Sequence, residues 1–266
     1  MPIECREYGE TGSRVAVLHG GPGASGYMAG LARDMARSFQ VLEPLQRPSG
    51  AEKLTVALHV EDLHEVLKQR CPGERVSLVG HSWGAMLALA YAAKCPDGIS
   101  LIALIGCGTF DKEARARMKI TIEERLGGKV DERMAQLERE IPDRDKRLAA
   151  MGALIESVDS WDLLPLDCQA ASCDARANEE TWSDMMRLQA AHVYPQAFST
   201  ITCPVAMFHG KYDPHPGKMI RDSLKPYIPQ LEYIEWERCG HYPWRESAAR
   251  EEFLATLKTR LAACSG

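Results

Sequence analysis

Val76-Ser-Leu-Val79-Gly80-His81-Ser82-Trp83-Gly84-Ala85-Met-Leu-Ala-Leu-Ala-Tyr-Ala-Ala93 decides how this chain folds. Val76 to Val79 has the composition of a short buried strand, and Ala85 to Ala93 is apolar nearly all round, the mark of a helix with no solvent face. Between them stands Gly-x-Ser-x-Gly. A strand that turns sharply through such a stretch into a helix lifts the serine hydroxyl out of the sheet, and the flanking glycines permit the close backbone approach the bend needs. The first turn of the helix then offers free N–H groups and the positive end of its dipole, where an anion is favoured. Ser82 is therefore a candidate nucleophile. The plainer alternative is a serine that only caps the helix beginning near Ala85.

Working outward, apolar runs recur at Arg14 to Leu18, Phe39 to Leu42, Ile99 to Ile105, Pro204 to Phe208 and Leu231 to Trp236. They are continuous rather than alternating, which predicts parallel strands buried on both faces. Val56, Val60, Leu63 and Leu67 share one helical face, as do Phe253, Leu254, Leu257 and Leu261. Strand alternating with helix predicts an α/β fold with a doubly wound, mostly parallel sheet, whose ligands sit beyond the carboxyl ends of the strands. From about residue 110 to 199 the pattern changes to charge-rich helical segments without a convincing strand. Pro142, Pro165 and Pro195 divide this region into four or five helices. The expected organisation is a core at 1–109, a helical lid insertion at 110–199 and the rest of the core at 200–266.

A chain of 266 residues can bury one large core, so a single domain with an insertion is expected. Its 45% apolar and 26% charged residues and formal charge of −5 give no electrostatic footprint for nucleic acid or membrane. The expected partner is a small-molecule ester, amide or short peptide; oligomeric state is not encoded. The longest apolar stretches, Ala85 to Ala93 and Ile99 to Cys107, fall short of the ~20 residues of a membrane span. The first ten residues carry Glu4 and Glu7 and no apolar core, which predicts no secretory signal. Nine irregularly spaced cysteines without a C-x-x-C pair read as reduced thiols in a cytoplasmic protein. Cys239 alone is singled out as a thiol to watch, being two residues from a candidate catalytic histidine.

A serine hydroxyl needs an adjacent base. His241, in Glu237-Arg-Cys-Gly-His241-Tyr-Pro, follows the last predicted strand and precedes the C-terminal helix, where a loop can carry an imidazole over the strand ends. Asp213, in His209-Gly-Lys-Tyr-Asp213-Pro, follows the strand ending at Phe208 and is placed to fix the imidazole tautomer. The order Ser82, Asp213, His241 is the one this architecture uses. For the developing oxyanion the candidates are the N–H groups of Trp83, next after the serine, and Gly21 in His19-Gly-Gly-Pro-Gly23. That glycine turn lacks the Gly-Lys-Ser/Thr ending of a phosphate loop. A metal site at His209, Asp213 and His215 is the minority reading, and the serine chemistry itself calls for no metal and no organic cofactor.

Together, His-Gly-Gly-Pro-Gly, the elbow serine and the Asp–His pair resemble the α/β-hydrolase superfamily, and Ser82-Trp83-Gly84 looks most like its proline iminopeptidase branch. The resemblance covers roughly residues 10 to 108 and 203 to 262. It implies a serine hydrolase that uses an acyl-enzyme, with N-terminal proline peptides as one substrate class. Departures accompany it. His81 stands where that branch has glycine, and Leu45-Gln46-Arg47-Pro48 stands where it has Asp-Gln-Arg-Gly. No lid acid aligns with the branch's amine-binding glutamates, although Glu156, Glu179, Glu180 and Asp184 are candidates, more simply read as solvated helix charges. A carbon–carbon bond hydrolase or lyase on the same scaffold, and a binding protein without turnover, use the same residues and remain alternatives. With only about 13 residues before the first sheet strand, the N-terminal antiparallel part is expected to be shortened.

Overall fold

A seven-stranded sheet with the order β1-β4-β2-β5-β6-β8-β9 organises the molecule. The computed structural model describes residues 3–165 and 172–264. In chain order the elements are β1 (Cys5–Tyr8), β2 (Arg14–Leu18), β3 (Ala24–Ser25), α1 (Ala29–Met35), β4 (Gln40–Pro44), α2 (Val56–Arg70), β5 (Val76–His81), α3 (Trp83–Lys94) and β6 (Ile99–Ile105). They continue as α4 (Lys112–Arg125), α5 (Val130–Glu140), α6 (Arg144–Asp159), β7 (Ser172–Cys173), α7 (Ala175–Ala190), β8 (Val205–Gly210), α8 (Gly217–Leu224), β9 (Leu231–Trp236) and α9 (Arg250–Ala263). Within the large sheet, neighbours run parallel except β1, which pairs antiparallel with β4 at the edge. The sheet is thus the mostly parallel α/β arrangement expected from the apolar runs, with one antiparallel edge strand.

Alternation explains why the strands read as continuous apolar runs. In β2, Ala16 and Leu18 join the core with α2, α3 and α8, while Val15 and Val17 join the opposite core with α1 and α9. β6 does the same: Ile102 and Leu104 face one layer, Leu101, Ala103 and Ile105 the other. The central strands β5 and β6 carry no Asp, Glu, Lys or Arg, as burial on both faces requires, while Glu43 of the outer strand β4 is buried and accepts from the Tyr8 hydroxyl at 2.6 Å. Helix α3 is buried at every position from Trp83 to Ala92, sandwiched between the sheet and α2.

Among the described residues between β6 and β8 lie the α-helices α4 to α7 and a 3-10 turn at Gln196–Thr200. Aspartates start three of them: Asp111, Asp143 and Asp174 accept N–H bonds from Ala114, Lys146 and Ala177 at 2.7, 2.9 and 2.9 Å. Helix α5 buries none of its residues, so its charges are solvated. The region does contain one strand, the two-residue β7, which pairs antiparallel with β3 just after the glycine turn. So short a strand leaves no periodicity to read. Asp174 N–H to Gly23 O at 2.7 Å and Asn178 Nδ2 to Pro22 O at 2.8 Å tie the same turn to the start of α7.

The eight described cysteines are all unpaired; Cys168 lies outside the described residues. Among the described residues no helix is long and apolar enough to cross a membrane.

Candidate active site

Ser82 sits at the β5–α3 junction with φ 54° and ψ −116°, a backbone region that costs a residue with a side chain ~1–3 kcal/mol. The surroundings enforce it. A Cβ on Gly80 would run into the Gly84 backbone, and one on Gly84 into the Leu18 carbonyl of β2, so only glycines allow strand and helix to meet this closely. The Ser82 N–H donates to Ile105 O of β6 at 2.8 Å, and its carbonyl accepts from Ala85 N–H at 3.1 Å. The hydroxyl opens into a cavity of about 560 Å³ that is also lined by Gly21, Tyr27, His81, Asp159, His215 and His241. A larger groove of about 960 Å³, lined among others by Gly23, Gln46 and Arg47, includes none of Ser82, Asp213 and His241.

Asp213 follows β8, its turn closed by Asp213 N–H to Gly210 O at 3.1 Å. One carboxylate oxygen, Oδ2, accepts from His241 Nδ1 at 2.6 Å; the other, Oδ1, accepts from His215 Nδ1 at 2.8 Å and from the His215 N–H at 2.9 Å. The His215 and His241 rings stack with centroids 4.6 Å apart and 14° between planes. Burial by itself would raise the Asp213 carboxyl, but the imidazoles of His241, His215 and His209 together hold it well below the usual carboxylate range. Burial likewise pushes His241 down, and the Asp213 charge, their hydrogen bond and Asp159 outweigh it, so this imidazole ends above its ordinary value. Among the described residues no hydrogen bond joins the Ser82 hydroxyl to His241. In unliganded sites such a bond often tightens only when substrate arrives.

The Gly21 N–H is aimed by its neighbours. Gln46 N–H donates to His19 Nε2 at 3.2 Å, so the His19 proton resides on Nδ1, which donates to Gly20 O at 3.0 Å. With the carbonyl of the Gly20–Gly21 peptide pinned on one side, the N–H of that trans unit points to the other. His19 stays neutral, burial lowering it to about 4. Gln46 also binds His19 O at 2.9 Å and accepts from Trp83 Nε1 at 2.8 Å, coupling the turn to the start of α3. The Trp83 N–H belongs to the first turn of that helix, whose donors have no partner within the helix itself.

Helix α6 supplies the apolar wall of the cavity through Leu148, Met151, Ala153 and Ile155, and Trp182 of α7 faces it. Of the four acids of the helical insertion considered from sequence, Glu156 alone lines this cavity, and it is paired to Arg245. Glu180 instead accepts from Leu54 N–H, Asp184 from Val56 N–H, and Glu179 pairs with Arg144 on the surface. Asp159, at the end of α6, does reach the cavity. Nothing local singles it out in the sequence, because only the return of the His241 loop against it, through His241 N–H to Asp159 O at 2.8 Å, gives it that place.

For a metal, Asp213, His215 and His241 have ligand atoms within 4.8 Å of one another, although both Nδ1 atoms are already bonded to Asp213. His209 is not in that group: its Nε2 donates to His215 O at 2.8 Å. The Cys239 thiol is fully buried, donates weakly to Gly240 O at 3.5 Å and is pushed far up by burial, which leaves it inert.

Known proteins resemble this chain in part of its sequence and in its fold. A cis-3-alkyl-4-alkyloxetan-2-one decarboxylase from Shewanella oneidensis is 27% identical over 107 residues, 37% of this chain and 34% of that protein. A proline iminopeptidase from Heyndrickxia coagulans is 34% identical over 100 residues, 34% of each chain. The chain thus matches only about a third of the length of these curated relatives. In three dimensions an esterase from Exiguobacterium antarcticum superposes with a TM-score of 0.67 at 18% identity, covering 97% of this chain and 95% of that one. Residues 15–256 match the alpha/beta hydrolase family as a whole, and with the parallel sheet and the strained serine turn already in place, this chain belongs to that family of enzymes.

Proposed function

We propose that the protein is a serine hydrolase that cleaves a small ester or amide through an acyl-enzyme on Ser82. His241 takes the serine proton as the hydroxyl attacks the substrate carbonyl, returns it to the leaving group, and then activates water for deacylation. Asp213 holds the imidazole tautomer and offsets the imidazolium charge. The Gly21 and Trp83 N–H groups bind the oxyanion of each tetrahedral intermediate. The observation that carries this reading is the 2.6 Å His241–Asp213 hydrogen bond beside an elbow serine that opens into the same cavity. Helices α4 to α7, within 110–199, serve as a lid over the core formed by 1–109 and 200–266. The apolar α6 wall suits an uncharged aliphatic or aryl acyl group. Unpaired thiols fit a cytoplasmic setting.

A second reading, N-terminal proline aminopeptidase, is favoured by the 34% identical stretch shared with a proline iminopeptidase. Carbon–carbon bond cleavage and a binding role without turnover fit the same residues less economically. The test is a panel of short-chain nitrophenyl esters, proline arylamides and their N-blocked forms, alongside fluorophosphonate labelling. Labelling at Ser82 with ester turnover supports the esterase reading, while arylamide turnover lost on N-blocking replaces it with the peptidase. No modification of Ser82 by the fluorophosphonate overturns both.

A further inference from the structure

We propose that Tyr27 and His81 are positioning residues: one run of hydrogen bonds through their side chains ties the glycine turn carrying the Gly21 N–H to the loop carrying His241. The inference rests on the serine hydrolase reading above and adds a part that reading does not require. The run begins at Gly20, whose N–H donates to Tyr27 Oη at 2.6 Å. Tyr27 Oη lies 2.6 Å from His81 Nδ1, and His81 Nε2 lies 2.9 Å from the carbonyl oxygen of His241.

Every proton in this run has one consistent place. A carbonyl only accepts, so His81 Nε2 carries hydrogen and donates to His241. Burial, followed by the neighbouring His241 charge, holds His81 well below the ordinary imidazole value, so the ring is neutral and Nδ1 is an acceptor. Tyr27 therefore donates its hydroxyl hydrogen to His81 and receives the Gly20 N–H in return. A protonated His81 would reverse the contact, leaving the Tyr27 hydroxyl to accept from both sides and to turn its own hydrogen away from the ring.

Its two ends are the two halves of the machinery. Gly20 shares its following peptide with Gly21, the oxyanion donor. The His241 backbone is gripped on both sides, its carbonyl by His81 and its N–H by Asp159 O at 2.8 Å. His81 is also packed: its ring centroid lies 4.6 Å from His241, 4.9 Å from Tyr242 and 4.7 Å from Trp244. Gly20 is held to the same register from the other side, since a Cβ there would strike the Tyr27 hydroxyl, Ser82 Cβ and the His81 carbonyl. Between neighbours in sequence such alignment is automatic. Here residues 20 and 241 come from opposite ends of the chain, and the run replaces a covalent link.

The test is a cycle of Tyr27→Phe, His81→Phe and the double variant, with His81→Gln as the conservative rescue, because its amide offers one donor and one acceptor spaced like the ring nitrogens. Ester hydrolysis, the rate of fluorophosphonate labelling of Ser82 and the Tm are read for each. Loss of alignment predicts a fall in kcat and in labelling rate of up to ~10²-fold with KM changed less than about threefold. The double variant should be no slower than the worse single one, and His81→Gln should recover at least a third of the lost kcat. Multiplicative losses in the double variant, unchanged kcat and labelling, a change confined to KM, or a fall in Tm with kcat intact overturns the inference. Wild-type protein serves as the control for the underlying reading: if its Ser82 is not labelled at all, that reading fails first, whereas normal labelling in Tyr27→Phe removes the relay alone.

Discussion

Asp159→Asn should make the protein more stable in base while leaving its stability in acid nearly unchanged. Asp159 is 2% exposed at the end of α6, with Ser160 Oγ donating to Oδ1 at 3.0 Å. Burial first, then Asp213 and Glu156, push its carboxyl up to about 7 from an ordinary 3.8, with His241 and Ser160 opposing. The difference is about 3 units, and at 1.36 kcal/mol per unit the ionised side chain costs the fold about 4 kcal/mol. The sign follows from proton counts. Between about pH 4 and pH 7 the folded chain keeps a proton that the unfolded chain has released, so this group's contribution is full in acid and lost as pH climbs through about 7. Asparagine keeps the acceptor for Ser160 and never ionises. Urea unfolding of both proteins at pH 5 and pH 8 is the assay, and the stability gap in favour of the variant should widen by about 2–3 kcal/mol between them. A gap that does not change with pH would show that Asp159 titrates as an ordinary surface carboxyl and refute the reasoning.

Ser82→Ala should lower turnover by ~10⁴ or more while leaving the Tm within a few degrees, measured by initial rates on the best ester. Activity should rise with pH through a value above the ordinary imidazole 6.5, since His241 must be neutral to act and its pKa is raised; a profile flat from pH 5 to 9 in single-turnover experiments contradicts this. The charged His241–Asp213 pair stabilises the fold below the ordinary imidazole value, and that share is lost as pH passes the raised one. In Asp159→Asn the acid limb should move to lower pH, because Asp159 is one of the groups holding His241 up. Gly20→Ala should destabilise by about 1–3 kcal/mol in urea and depress kcat, because its methyl group collides with Tyr27 and Ser82.

What could be read from the chain was local. The β5–α3 turn is written within a dozen residues, and the serine takes its strained conformation where the two glycines allow it. That Asp213 and His241 would come together was legible, because each follows an apolar run and strand ends of a parallel sheet converge on one edge; their catalytic roles remain a proposal. Tyr27 and Asp159 were not legible, and His215, considered only as a metal ligand, was not read as a second hydrogen-bond partner of Asp213. Tyr27 meets His81 across 54 positions, and Asp159 meets the His241 backbone across 82, separations at which spacing carries no information. Edge strand β1 and the two-residue β7 escaped for the opposite reason: Cys5-Arg-Glu-Tyr8 is only half-buried, and two residues have no period.

Local composition sets the class of fold, since runs of apolar residues in a parallel sheet must be covered on both faces, and it also sets the turn that presents Ser82. Which acids face the cavity, that two histidines share one aspartate, and that the glycine turn and the His241 loop meet through Tyr27 and His81 emerge only once the chain is folded. The reason is physical. Strand and helix formation answer to neighbours a few residues away, whereas hydrogen-bond partners in a buried site are chosen by the way distant loops close over the same strand ends.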